Sequence, residues 1–161
     1  MNVKLEEFLA AHLVKYTLLA HREAFTAPEE AAAAHVSGHQ WAKVVVVKKE
    51  DGYVLAVLPA CCRIDLTRLQ GLVGEGGLRL ANVEEIRHAC GGFEPGAVPP
   101  FGRLFRMLVF VDPSLLDQPE LVVPGGDHRT AARIRTAEFL RVTEPRVGAF
   151  AVHEGTPAHL A

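Results

Sequence analysis

The sequence predicts a single α+β domain built on a mixed sheet of about six or seven strands. Two observations carry that reading. The stretch "AKVVVVKKEDGYVLAVLP" sets two apolar strands on either side of an Asp51-Gly52 turn, a β-hairpin in the middle of the chain. Short helical segments surround it without the regular strand–helix alternation that a doubly wound fold requires. With 161 residues, 49% hydrophobic and 22% charged, the chain suits one domain over 1–161 with a sizeable core.

Each element follows from local pattern. "VKLEEFLAAHLVKY" spaces Val3, Phe8, Leu9, His12, Leu13 and Tyr16 near the helical period, an amphipathic first helix. "TLLAH" is a short strand. In "TAPEEAAAAHVSG" Thr26 is the N-cap, Glu29 its capping-box partner, Pro28 sits in the first turn and Gly38 closes the helix. The hairpin comes next, strand 42–49 and strand 53–58, the second ended by Pro59. Asp65 caps a short helix with Leu66, Leu69 and Leu72 on one face. "GLRLA" is a brief strand, and Asn82 with Glu85 forms a capping box for the helix of "NVEEIRHAC". "GGFEPGAVPPFG" has no period and reads as a loop. "RMLVFVD" is a buried strand, "ELVVPGGDHRTAARI" a strand–turn–strand, and "TAEFLRV" a last helix capped by Thr136. The tail from 144 to 161 is weakly patterned and expected to fray.

Composition excludes several classes. No apolar run approaches the roughly 20 residues that span a bilayer, and acids within "MNVKLEEFLAAHL" argue against a signal peptide. Cys61, Cys62 and Cys90 form no disulfide framework. A cytoplasmic protein without membrane contact is expected. The net charge of −2 advertises no nucleic-acid field, so DNA is not expected as a partner and any RNA contact must be local.

Three pieces carry possible chemistry. Lys43 stands at the head of Val44-Val45-Val46-Val47, where a charge costs free energy unless it is paired or reaches water. Taken alone, snorkelling is its default reading. The loop Gly96-Ala97-Val98-Pro99-Pro100 offers bare backbone stiffened by prolines, suited to gripping a polar ligand, although a plain Ω-loop has the same composition. The turn Gly125-Gly126-Asp127-His128-Arg129 is either a solvated hairpin turn or a polar turn at the mouth of a cleft.

Together these features resemble the YbaK/EbsC aminoacyl-tRNA deacylase family, related to the editing domain inserted in bacterial prolyl-tRNA synthetases. The resemblance rests on the Lys that opens the valine strand, the hairpin ending "AVLPA", and the GxxxP loop from Gly96 to Pro100. A buried strand ending in Asp112 and the late "GGDHRT" turn complete it, over roughly residues 20–142. It implies a mixed, mostly antiparallel, curled sheet with helices outside, and a trans-editing hydrolase that cleaves the ester of mischarged aminoacyl-tRNA. By position it implies Lys43 and Gly96 as functional residues and the Gly96–Pro100 loop (Gly96, Ala97, Val98, Pro99, Pro100) as substrate-binding. Asp127 and His128 fall near the same cleft. On this reading Lys43 answers the strand-head puzzle: it fixes the phosphodiester of the tRNA 3′ end as a point charge.

The mechanism implied is metal-independent and cofactor-free, with the tRNA 2′-hydroxyl helping to activate water and the loop supplying backbone dipoles. Easier mechanisms lack residues. Ser37 and Ser114 are the only serines and neither sits in a nucleophile elbow. Cys61-Cys62 follows a strand end and Cys90 a helix end, settings for inert thiols. His35-x3-His39 is interrupted by Gly38, and His88-x-Cys90 lacks a second pair, so spacing offers no zinc site. His128 is either a proton-transfer group or a solvated turn residue. Two other functions compete: a binding module of this fold that grips a tRNA end or a protein without turnover, and an esterase acting on amino-acid esters without a tRNA body.

Overall fold

The computed structural model describes residues 1–153. Its first half contains α1 (Val3–Ala11), β1 (Thr17–Ala20), α2 (Ala27–Ala33), β2 (Ala42–Lys48), β3 (Tyr53–Pro59), β4 (Cys62–Ile64) and α3 (Leu66–Val73). Then follow β5 (Arg79–Leu80), α4 (Val83–Ala89), β6 (Val109–Val111), β7 (Glu120–Pro124), β8 (Thr130–Arg135), α5 (Thr136–Thr143), β9 (Arg146–Val147) and β10 (Ala151–His153). The α+β class and mixed sheet expected from the sequence are both present.

The strands divide into a five-stranded sheet of order β5-β2-β3-β6-β9, a three-stranded sheet β1-β8-β7 and a pair β10-β4. Pairing is antiparallel except for β3–β6 and β6–β9. A parallel bridge from Trp41 to Val122 carries the large sheet onto the three-stranded one just before β2 begins. None of the described helices is long and apolar enough to cross a membrane.

Continuous apolar strands are explained by burial on both faces. Val46 on β2, Leu55 and Val57 on β3, and Val109 and Val111 on β6 join Leu5, Leu9, Phe101 and Phe139 in one core cluster. The alternate residues Val47, Val54, Ala56, Leu58 and Phe110 pack with Leu69 and Phe150 in a second. The hairpin therefore packs on both faces, and its register, Ala42 opposite Pro59 through Lys48 opposite Tyr53, is fixed by both sides at once.

Several expectations are corrected. α1 stops at Ala11 and Leu13 takes φ +56°, so the buried pair is Leu5 and Leu9, while Leu13 points to water. α2 has the Thr26 cap but ends well before Gly38, in a Schellman close. There Val36 N donates to Ala31 O, His35 N donates to Ala32 O, and His35 sits at φ +57°. Thr136 is the first residue of α5, not its cap, because its hydroxyl donates to the Gln118 carbonyl. The reciprocal capping box of Asn82 and Glu85 is present as expected.

The tail differs most. Its residues 154–161 lie outside the described residues, but the segment before them is docked rather than frayed. Asp112 accepts hydrogen bonds from Phe150 N at 2.9 Å and Ala151 N at 2.7 Å, and from Ser114 N and Oγ. Burial alone would raise its carboxyl; the hydrogen bonds from Ser114, Ala151 and Phe150 outweigh it and hold the group below the ordinary carboxylate value. Phe150 is wholly buried between them. One buried acid, with Phe150 and Val152 packed inside, thus docks a segment that lacks hydrophobic periodicity.

Candidate active site

A cavity of about 260 Å³ opens where β2 begins, and Phe25, Glu30, Trp41, Lys43, Gly96 and Pro124 are among the residues that line it. It brings two residues expected from the sequence, Lys43 and Gly96, to one place. Lys43 does not snorkel. Its half-buried ammonium donates to the Cys62 carbonyl at 3.1 Å, which fixes the side chain and leaves donors for a ligand.

Gly96 adopts φ +88°, and a Cβ there would stand 3.1 Å from His128 Cε1 and 3.5 Å from Phe25 O. The glycine is required by conformation and by space. Ala97, Val98, Pro99 and Pro100 are buried beneath it, and of these five residues Gly96 alone lines the cavity. Ala97 has spent its backbone, donating to Glu94 O at 2.9 Å and accepting from Gly126 N at 3.1 Å. Those four residues support the loop, and bare backbone is presented at Gly96.

His128 is not a solvated turn residue; it is buried behind Gly96. Its Nε2 lies 2.9 Å from the Pro95 carbonyl and its Nδ1 lies 3.2 Å from Glu30 Oε1. The Pro95 carbonyl only accepts, so Nε2 donates to it, while Nδ1 faces the Glu30 carboxyl. Burial pushes that carboxyl up to about 7, against the lowering pull of His128. With both nitrogens engaged, the imidazole braces the Pro95–Gly96 backbone.

Sequence reasoning passed over Glu30 and Trp41. Glu30 Oε2 and Trp41 Nε1 are buried without a hydrogen-bond partner, and both residues line the cavity. An unmet buried polar group costs about 1–3 kcal/mol, so two of them on residues of one wall set this place apart from the surrounding core. Glu30 had no distinguishing signal, since an acid in the first turn of a helix is ordinary dipole compensation.

Asp127 does not reach the cavity. Its Oδ1 accepts from Arg129 N, Thr130 N and Thr130 Oγ1, which ties the β7–β8 turn. Ser37 accepts from His39 N and Ser114 bonds Asp112, so both serines serve turns. Burial pushes the Cys62 thiol up to about 12, with Cys61 beside it adding to the effect, and pushes Cys90 up to about 11. Of the basic surface, Lys49 pairs with Glu75, Arg103 with Glu144 and Arg129 with Glu23. A larger depression of about 720 Å³ adjoins the loop, lined by Arg87, Phe93, Glu94, Pro95 and His128. Arg87 there is already paired with Glu84, and the smaller cavity has the stronger chemistry.

The aminoacyl-tRNA editing domain family matches residues 21–142, and the chain belongs to that family. It is similar to a crystal structure described as "a putative trans-editing enzyme for prolyl tRNA synthetase", at 32% identity and TM-score 0.80, with 94% of this chain and 96% of that chain covered. It is also similar to the crystal structure of a hypothetical protein, APE2540, at 25% identity and TM-score 0.82, covering 92% and 99%. A protein described as "a Putative signal transduction protein" from Marinobacter aquaeolei VT8 shares the fold at 16% identity and TM-score 0.73, over 94% of this chain and 31% of that one. No curated protein matches the chain significantly. These likenesses support a role in tRNA editing.

Proposed function

We propose that this chain is a trans-editing aminoacyl-tRNA deacylase of the cytoplasm, hydrolysing the ester between a mischarged amino acid and the terminal ribose of tRNA. The observation that carries the proposal is the single cavity lined by Lys43, Gly96, Glu30 and Trp41. A volume of about 260 Å³ suits an aminoacyl group with a small side chain, not a whole nucleotide. Lys43, clamped to the Cys62 carbonyl, anchors the terminal phosphodiester with its remaining donors.

Water attacks the ester carbonyl, the carbonyl oxygen becomes an oxyanion, and the ribose hydroxyl leaves with a proton. The neighbouring 2′-hydroxyl of the tRNA orients that water, and the rigid Gly96 backbone holds the acyl group in line. His128 and Glu30 act through Gly96 as positioning residues. The reaction as drawn needs no metal: among the described residues Glu30 is the one carboxylate in the cavity wall, one of its oxygens already faces His128, and neither His nor Cys lines the wall.

The test is single-turnover hydrolysis across a panel of mischarged aminoacyl-tRNAs, beside the matching amino-acid methyl esters. Release from a small-side-chain aminoacyl-tRNA, with the free esters inert, supports the proposal. Binding without release supports the non-catalytic module, and equal turnover of free esters supports the small-molecule esterase.

A further inference from the structure

Outside the cavity the fold gathers a second set of chemical groups that sequence spacing does not show. We propose that His39, Cys61 and His153 form a site for one divalent transition-metal ion, zinc being the best match, which fastens the C-terminal strand to the two segments that hold Lys43. One ligating atom from each residue lies within 4.8 Å of the others. Cys61 Sγ is 3.4 Å from His39 Nδ1, and the rings of His39 and His153 stand 5.8 Å apart at 31°.

Zinc–nitrogen bonds of about 2.0–2.1 Å and zinc–sulfur bonds of about 2.3 Å give a tetrahedron with edges of about 3.3–3.8 Å. The sulfur–nitrogen pair already has that separation, and small side-chain rotations close the rest. Both imidazoles are exposed and Cys61 is half-buried, so an ion can enter from solvent. As the sulfur takes the metal, the Cys61 thiol releases its proton to water. One thiolate with two imidazoles suits zinc and its neighbours and does not suit magnesium or calcium, which take oxygen.

The three ligands come from separate parts of the chain. His39 lies in the turn after α2, Cys61 between β3 and β4, and His153 on β10, where it stands opposite Cys62. The first two turns touch because residue 38 is glycine: Cys61 N donates to Gly38 O at 3.3 Å, and a Cβ on Gly38 would stand 3.2 Å from Cys61 Cβ. Among the described residues the protein supplies three ligands, because Cys62 is buried in the second core cluster. Its carbonyl, however, is the acceptor that holds Lys43. A metal here therefore stiffens the frame around Lys43, and none of its ligands lines the cavity.

The test is spectroscopic and thermal, so its outcome is independent of whether the chain is a deacylase. Metal-free protein is titrated with cobalt(II) while the thiolate-to-cobalt absorption is followed, then zinc is added in competition. The expected result is one cobalt per chain, displaced by zinc, with the band absent in Cys61→Ser and present in Cys90→Ala. Affinity falls at least about tenfold in His39→Gln and in His153→Gln, which change exposed residues and spare the core. At about a hundredfold excess over the dissociation constant, zinc raises the melting temperature by about 5 °C or more, and magnesium leaves it unchanged. No saturable cobalt binding, or binding that survives loss of Cys61 and of both histidines, overturns the site.

Discussion

Replacing Gly96 with alanine isolates the loop's contribution. The residue sits at φ +88°, where an L side chain costs about 1–2 kcal/mol. The new methyl would stand 3.1 Å from His128 Cε1, closer than ordinary van der Waals contact. The ring cannot yield freely, because Glu30 and the Pro95 carbonyl hold its two nitrogens. The loop backbone must move instead, and that backbone is the wall of the cavity. A shift of this kind lowers turnover by about 100-fold, or about 2.7 kcal/mol of barrier. Strain alone lowers the melting temperature by about 2–8 °C in a domain of this size. Gly74→Ala is the matched control, with φ +89° and nothing within 4 Å of its Cβ. It should show the same order of thermal loss with unchanged turnover. If single-turnover deacylation by Gly96→Ala falls no further than that of Gly74→Ala, the loop is not part of the active site.

Three other outcomes are expected. Asp112→Asn should lower stability by about 2–4 kcal/mol in urea unfolding, because a buried acceptor of four hydrogen bonds loses its charge. The folded-state value of that carboxyl is depressed, so its stabilisation is present above about pH 4 and is lost as the pH falls; melting curves from pH 6 to pH 3 should show the Asn variant losing less than the parent. Glu30 has the opposite sign: its value is raised from 4.5 to about 7, so its contribution is complete below 4.5 and is lost as the pH rises towards 7. The melting temperature of Glu30→Gln should therefore vary less than that of the parent between pH 4.5 and 7, and equal slopes would show that Glu30 does not titrate there. Binding to uncharged tRNA should be weak and fall about tenfold or more between 50 and 200 mM salt, since the net charge is −2 and several basic side chains are already paired; salt-insensitive binding would point to an extensive neutral interface.

What the sequence made legible was local. The valine hairpin, the Asn82–Glu85 capping box and the Gly/Pro loop each carry their cause within a few residues, and each stands where the pattern places it. The division into three sheets was not legible, because β4, β5, β9 and β10 have only two or three residues each and no period to read. The docked tail depends on a distant carboxylate, Asp112, together with the burial of Phe150 and Val152, and neither partner is visible in the local pattern. In the site, Lys43 was visible as a charge at the head of an apolar strand. Glu30 and Trp41 were not, because an acid in a first turn and a core tryptophan look ordinary until their polar atoms are found without partners. His39, Cys61 and His153 are brought together by the tertiary fold alone.

The central claim, that the Lys43 cavity is the seat of ester hydrolysis, is tested most directly by single-turnover deacylation of the best mischarged tRNA by the parent chain and by Lys43→Ala. Removing this side chain sacrifices one hydrogen bond to Cys62 O and so costs about 1 kcal/mol of stability, which melting will show. Loss of the anchoring charge should slow hydrolysis by at least about 100-fold with the fold intact. Turnover within about twofold of the parent would contradict the account.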